Sequence, residues 1–549
     1  MSEAFSTQNL DHLGIVAGIC QEIDLIDQID AQVPDTGRTV SVGQAVQAMV
    51  LNGLGFVGRA LYLTPEFYRT KPVDLLIGAG IEADDLNSDS LGKALDYLYE
   101  VGVTEVFAVV SAHALQKYGI QVKFAHADTT ALSLEGAYVV DEATVTDADE
   151  PQPITITYGH SKDHRPDLKQ AILSLICANQ SSIPVYLNAL SGNTADKASL
   201  PQTVRAYLEQ FGVEEETPTL VVDSALYSAN TVRELSDASW VTRVPATITE
   251  AKTLLAEIGK AQMMASAREG YFYHELVSDY GEVAQRWLVV LYEPRQQADQ
   301  QRLDKQIVRE REQLDKQLKQ LQRRAFNCAE DAQRALQQVD QQASFHTITG
   351  GVDGHERYAQ RGRPTPDSPI HTDWYVQPTI TVDDASILRK QQPLGKYIIA
   401  TNELDATQLP AEELLTLYKA QNTSVERGFR FLKDPLFFAH SLFLKKPTRI
   451  MALLMVMGLS LLIYALAEHH LRQQLLDQDQ TIPDQKGKPT QRPTMRRVFQ
   501  MFEGIHVLTI SIGDLQKRMV TNVNEVHLQI ATLLGKHVLK FYVFAEDPL

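Results

Sequence analysis

The sequence predicts an α/β protein: a mixed-sheet core interrupted by a long insertion, behind a helical N-terminal domain. Three observations predict this. Residues 1–118 carry apolar side chains at helical spacing in Ile15–Ile26, Val40–Leu54 and Leu91–Leu115. Residues 119–250 hold β-rich runs that first neighbour one another and then alternate with helical patterns. A stretch from about 251 to 394 then turns polar before a β-rich run, Lys396-Tyr-Ile-Ile-Ala-Thr-Asn, returns.

In the helical domain, Asp35-Thr-Gly and Thr64-Pro punctuate the helices. In the core the expected strands are Gln121–Ser133, Ile154–Gly159, Val185–Ala189, Thr219–Val222 and Trp240–Arg243. Helices are expected over Leu168–Asn179, Ala198–Phe211 and Ala229–Leu235. Three neighbouring strands followed by strand–helix alternation fit a ribonuclease-H-like mixed sheet. The insertion, 251–394, is dense in Gln, Arg, Asp and Lys over Gln296–Gln342. There Leu303, Ile307, Leu314, Leu318 and Leu321 form a partial heptad seam, which reads as a helical hairpin or short coiled coil. Tyr271–Tyr273, Trp287–Tyr292 and Tyr375–Val382 read as strands beside it. The core resumes over 395–470, and 471–549 forms a C-terminal region that opens with a polar, Pro- and Gly-bearing exposed loop over 471–492.

Ile450–Ala467 is an eighteen-residue run in which only Ser460 and Tyr464 carry polar groups. Its length suits a membrane span, but a solitary run inside an α/β chain reads as a buried core helix, and no membrane partner is expected. Cys20, Cys177 and Cys328 are far apart and form no zinc or redox motif, as expected of a cytoplasmic protein. The N-terminus has no basic region followed by an apolar run, so no signal peptide is expected.

The net charge is −18, but its distribution is uneven. Residues 1–118 hold six Lys/Arg against sixteen Asp/Glu, whereas 419–449 hold seven against two. Basic residues cluster again at Lys486, Lys488, Arg492, Arg496 and Arg497. The positive field therefore gathers in the C-terminal part of the chain, where a phosphate backbone would be neutralised.

Three acids stand out within this pattern. Asp128 lies in the strand-like Val122-Lys-Phe-Ala-His-Ala-Asp-Thr-Thr. Asp223 ends the short apolar strand Pro218-Thr-Leu-Val-Val-Asp, just before a helix start. Glu426 sits in Tyr418-Lys-Ala-Gln-Asn-Thr-Ser-Val-Glu-Arg-Gly-Phe-Arg-Phe-Leu-Lys433, an otherwise basic and apolar helix. Glu426 and Lys433 are two turns apart and share a face with Arg430. A strand-end Asp alone is most often a turn former or cap. Three acids in these contexts suit hard divalent cations beside a phosphate path.

On these residues the chain resembles a bacterial insertion-sequence transposase of the Asp-Asp-Glu class. More narrowly, it resembles the superfamily with a Tyr-x2-Arg-x3-Glu-x6-Lys signature. Glu426-x6-Lys433 matches, whereas Tyr418 is one residue early and Asn422 occupies the Arg slot, with Gln421 beside it. Tyr158-Gly-His-Ser-Lys-Asp-His-Arg-Pro-Asp, Leu190-Ser-Gly-Asn-Thr-Ala-Asp, Trp240-Val-Thr-Arg-Val-Pro and Pro493-Thr-Met-Arg-Arg-Val-Phe resemble other stretches of the family, so the likeness runs from about Leu10 to Val543.

The resemblance implies the same ribonuclease-H-like fold, with Asp128, Asp223 and Glu426 as catalytic residues and metal ligands for two Mg²⁺ ions, for which Mn²⁺ would substitute. It implies strand cleavage at terminal inverted repeats of double-stranded DNA, transfer of the freed end into target DNA, a homodimer bridging two ends, and action at the nucleoid. Tyr418, Arg427, Arg430, Lys433, Lys445, Lys446 and Arg449 are the expected DNA-binding residues. The N-terminal domain would bind element ends or dimerise.

His160, Asp163, His164 and Asp167 read as a polar loop rather than a second metal site, because Pro166 disfavours a helix there. His126, two residues before Asp128 on the same strand face, reads as a support for Asp128 or a satisfied core histidine. Trp287 and Trp374 read as core side chains before base-stacking ones. The competing function classes are a catalytically silent DNA-binding or assembly protein of transposase ancestry, a ribonuclease-H-like nuclease without strand transfer, and a membrane-associated protein.

Overall fold

The computed structural model describes residues 3–35, 37–56, 61–136, 138, 152–160, 165–178, 182–209, 217–358, 367, 369–434, 444–512 and 515–544. The chain divides into two compact units: Met1–Val241 with Thr416–Leu549, and Thr242–Leu415.

The first unit opens with a strand, β1 (Glu3–Asn9), which departs from the all-helical expectation for residues 1–118. Helices follow, but the expected runs Ile15–Ile26 and Leu91–Leu115 are each divided into two helices, the second at Gly102. Val42–Leu54 starts at a capping box in which Ser41 accepts from the Gln44 amide and Gln44 answers back to the Ser41 amide, satisfying two orphan donors. Nearly all of this helix is buried. Ser88–Val101 and Val103–Lys117 complete the domain.

The core sheet is built from β2 (Phe124–Leu134), β3 (Lys169–Ala178), β4 (Ile183–Ser191), β5 (Thr219–Val222) and β6 (Trp240–Val244), in the order β4-β3-β2-β5-β6. The first three pair antiparallel, and β5 joins β2 in parallel. This is the ribonuclease-H-like arrangement that the sequence predicts.

Residues 169–178 were expected to be helical and are instead β3, buried along almost its whole length. A run such as Ala-Ile-Leu-Ser-Leu-Ile-Cys-Ala is apolar throughout, because a central strand is covered on both faces, and periodicity alone does not separate it from a buried helix. The expected strand over Ile154–Gly159 is reduced to a bridge between Thr157 and Gln170.

The apolar run lies in a helix spanning Pro447–Asp477, with Pro447 at its first turn, where a missing amide costs nothing. By length and composition it could cross a membrane, but its most apolar eighteen-residue window is entirely buried within the protein. It packs against Val42–Leu54, Ser88–Val101, Val103–Lys117 and β4. Ser460 returns its hydroxyl to the Val456 carbonyl at 3.0 Å, so no polar group of the buried stretch opposes that burial. The helix takes in residues 471–477 of the expected exposed loop, and the rest includes a two-residue hairpin, β13 (Ile482–Pro483) with β14 (Pro489–Thr490). β15 (His506–Ile512) and β16 (Leu515–Thr521) then close a small sheet with the N-terminal strand, in the order β1-β15-β16.

The second unit contains β7 (Met264–Ala265), β8 (Tyr271–Ser278), β9 (Gln285–Tyr292) and β12 (Lys396–Thr401), in the order β12-β9-β8-β7. The expected helical hairpin is present as Glu293–Gln322 and Ala329–Gln342. Leu314 and Leu318 of the heptad seam, with Leu336, bury against Phe326, Ile348 and Val376. The last two belong to a long antiparallel ribbon, β10 (His346–Tyr358) and β11 (Ile370–Val382). Leu314, Leu318 and Leu321 of the seam are thus covered within the same chain. Trp287 is fully buried, and Trp374 packs against the hairpin cluster, so both serve the core.

Candidate active site

Asp128 and Asp223 are brought side by side by strand register. β2 and β5 run parallel, with Ala127 opposite Val222 as the last pair. The next residues are Asp128 and Asp223, on strands about 4.8 Å apart. Asp223 keeps an extended backbone (φ −71°, ψ 167°), so it continues the strand direction as its side chain caps the following turn. Each carboxylate accepts from the next backbone amide: Asp128 from Thr129 at 2.7 Å, Asp223 from Ser224 at 2.6 Å. Asp128 is half-buried and Asp223 exposed.

Glu426 lies on the Ala411–Leu432 helix, exposed. Val425, Gly428, Phe429 and Leu432 form the buried face of that helix. Gly428 permits a close approach: a Cβ there would stand 3.1 Å from Leu461 and 3.4 Å from Leu175. Leu175 is the β3 residue directly opposite Asp128, so both side chains leave the sheet on the same face. The Glu426 helix is therefore laid on the face of the sheet that carries Asp128, at the level of Asp128. Glu426 and Arg430 form one flank of the buried face and Arg427 and Phe431 the next, with Lys433 and Asp434 just past the C-terminal end of the helix.

Among the described residues, no group of three or more His, Cys, Asp or Glu side chains is close enough to hold a metal ion. The fold thus pairs the two aspartates and docks the glutamate helix beside them, without closing all three acids into a ligand cluster.

The expected DNA-binding residues fall into three groups. Arg430 is exposed and Lys433 half-buried on the Glu426 flank, and Lys445 and Lys446 are exposed at the start of the apolar helix. Arg427 and Arg449 are engaged by acids. Arg427 pairs with the buried Glu468 at 2.5 Å. Arg449 grips Asp96 with two nitrogens, at 2.7 and 2.6 Å, holding the Asp96 carboxyl below the usual carboxylate range. Tyr418 is half-buried on the Glu426 helix. The side chains of Gln421 and Asn422 lie outside the described residues, as do Asp163 and His164 of the polar loop, while Asp167 of that loop pairs with Arg165.

His126 is fully buried and neither ring nitrogen has a hydrogen-bond partner. Burial pushes its pKa down to about 4, so it is a neutral core histidine and makes no hydrogen bond to Asp128. Glu468 was not singled out in the sequence. Its signal was available, as the first acid after Asp434 and the residue that follows the eighteen-residue apolar run.

A family profile described as a transposase DDE domain matches residues 139–463, more than half of the chain. Asp223 and Glu426 fall inside the match, and Asp128 lies just ahead of it. The chain belongs to this transposase family, and its function is DNA transposition. A second profile, a domain of unknown function (DUF4277), matches residues 5–112, the helical domain. No curated protein matches the sequence. Among solved structures, the chain is similar to a piggyBac transposase in a synaptic complex with hairpin DNA, with 10% identity over 91% of this chain and 82% of that one, and a TM-score of 0.37. The fold assignment rests instead on the strand order described above.

Proposed function

We propose that this transposase cuts DNA at the ends of its own element and joins the freed ends to target DNA, with Asp128, Asp223 and Glu426 as its catalytic acids. The observation that carries the proposal is that Asp128 and Asp223 each directly follow the last β2–β5 pair, Ala127 with Val222, while the Glu426 helix is laid on Leu175, opposite Asp128. Carboxylate oxygens suit hard divalent cations, and these three side chains would hold two Mg²⁺ ions, with Mn²⁺ as a substitute. When bound, such ions activate water and stabilise charge at a phosphodiester.

Arg430 and Lys433 sit on the Glu426 flank, where they would neutralise the phosphate being cut. Lys445 and Lys446 would bind backbone further along. Arg427 and Arg449, already paired to acids, would add field rather than a direct clamp, and Tyr418 would contact the strand near the cut. Hydrolysis at the element end frees a 3′-hydroxyl. That hydroxyl then displaces a 3′-oxygen of the target strand, so one phosphodiester forms as another breaks. Two ends must be joined, so the active species is a homodimer on inverted repeats, working at the nucleoid in the cytoplasm.

A silent DNA-binding role is the second reading, favoured by the lack, among the described residues, of a closed three-acid cluster. One assay separates the two: Mg²⁺-dependent cleavage of linear DNA carrying the repeats that flank the gene, for the wild type and Glu426→Gln. Cleavage at the repeat ends that the substitution abolishes is the expected result. Repeat binding without cleavage in either protein would establish the silent reading.

A further inference from the structure

The Glu426 helix is held from behind by a polar cluster that the proposed chemistry does not use. At its centre is Glu468, on the apolar Pro447–Asp477 helix and only 5% exposed. Burying a carboxylate is costly unless donors surround it. Glu468 has three: the Arg427 guanidinium at 2.5 Å, the Arg472 guanidinium at 2.9 Å and the Met495 backbone amide at 3.0 Å. These belong to the Glu426 helix, the apolar helix itself and the Met495–Met501 helix. One carboxylate therefore ties three helices together.

The tie is reinforced along a single stripe of the Glu426 helix. Phe431, one turn beyond Arg427, lies 4.6 Å from the Tyr464 ring between centroids. Asp434, two residues past the end of the helix, pairs with Arg496 at 2.8 Å, and the Arg496 amide donates to the Tyr464 hydroxyl at 3.0 Å. Tyr464 and Glu468 are themselves one turn apart. Contacts from Arg427 and Phe431 thus meet one edge of the apolar helix, and Asp434 reaches the same edge through Arg496. A cavity of about 170 Å³ lies between the partners, so a continuous apolar interface does not substitute for the polar contacts there.

Arg427 directly follows Glu426, and successive helical residues project about 100° apart. Fixing the direction of Arg427 therefore fixes the direction of Glu426, Arg430 and Lys433. We infer that Glu468 is a positioning residue: through Arg427 it sets the rotation of the Glu426 helix about its axis, and so the aim of the catalytic glutamate. This rests on the catalytic reading of Glu426. It assigns Arg427 to holding that helix rather than to gripping DNA.

The test uses the full chain and two variants, Glu468→Gln and Arg427→Gln, which cut the same bond from its buried and half-exposed sides. The first readout is hydrogen exchange, which needs no activity. Peptides of 416–432 should exchange about tenfold faster or more in both variants, with Val42–Leu54 unchanged. Unaltered exchange across 416–432 would overturn the inference, even if the wild type proves unable to cut DNA. The second readout is repeat-end cleavage at saturating DNA. Both variants should cut at least about tenfold more slowly with Kd for repeat DNA within about twofold, and the double variant should be no slower than the worse single one. Weakened DNA binding in Arg427→Gln with full cleavage at saturation would assign Arg427 to DNA and refute the positioning role. Should Glu468→Gln fail to fold, Arg427→Gln carries both readouts alone.

Discussion

His126 offers a sharp test of how the Asp128 strand is built. It stands two residues before Asp128, on the same face of β2, with buried Cys177 and Val221 as its cross-strand partners. Its ring is wholly buried and unbonded, and burial lowers its pKa from 6.5 to about 4. The folded protein therefore resists protonating a group that the unfolded chain protonates readily. The stability this histidine permits is complete above about pH 6.5 and is lost as pH falls toward 4. At pH 5 the unfolded imidazole is almost fully charged and the folded one almost neutral, a cost to folding of about 2 kcal/mol. His126→Leu removes that cost and replaces an unbonded polar ring with an apolar side chain. The assay is the opening free energy of β2 peptides by hydrogen exchange at pH 7 and pH 5. The wild type should lose about 2 kcal/mol more than His126→Leu between the two. Parallel losses in both proteins would refute the argument, because they would mean that the imidazole is solvated or partnered.

Two other substitutions test the packing. Gly428→Val places a branched side chain against Leu461 and Leu175, whose methyls already stand 3.1 and 3.4 Å from a Cβ at this position. The overpacking, about 1–3 kcal/mol, should lift the Glu426 helix from the sheet and slow repeat-end cleavage at least about tenfold while repeat binding persists. Gly428→Ala, which meets only side-chain ends, should be milder, and equal rates for Gly428→Val and the wild type would contradict this packing. In the second unit, Leu336→Ala empties the centre of the hairpin cluster and should cost about 2–5 kcal/mol, seen as faster exchange in β10 and β11 peptides. Unchanged exchange there would mean that the ribbon does not depend on the helical hairpin.

The parts of the fold that were legible in the sequence carry a local signal of their own, in bounding turn residues or in apolar spacing. Thr219–Val222 was readable because turn residues bracket its apolar run, and Ser88–Val101 because only one stripe of it is buried. β3 was not readable, since burial on both faces erases periodicity, and yet it carries Leu175, against which the Glu426 helix is set. The strand at residues 3–9 was hidden for another reason. Its partner, β15, lies at the other end of the chain, and no local pattern encodes pairing over that separation. The three acids were each visible from local context. What local context could not supply was the register that sets Asp128 beside Asp223, or the engagement of Arg427 and Arg449 by Glu468 and Asp96. Both depend on tertiary contacts between residues far apart in sequence.

The most direct test of the central claim, that Asp223 ligates the ion used for DNA cleavage, is a change of donor atom. Asp223→Cys replaces a hard oxygen with a soft sulfur, which favours softer cations over Mg²⁺. Repeat-end cleavage by this variant should vanish in Mg²⁺ and return in Mn²⁺, whereas Glu426→Gln should stay inactive in both. Cleavage by Asp223→Cys at the wild-type rate in Mg²⁺ would contradict the account.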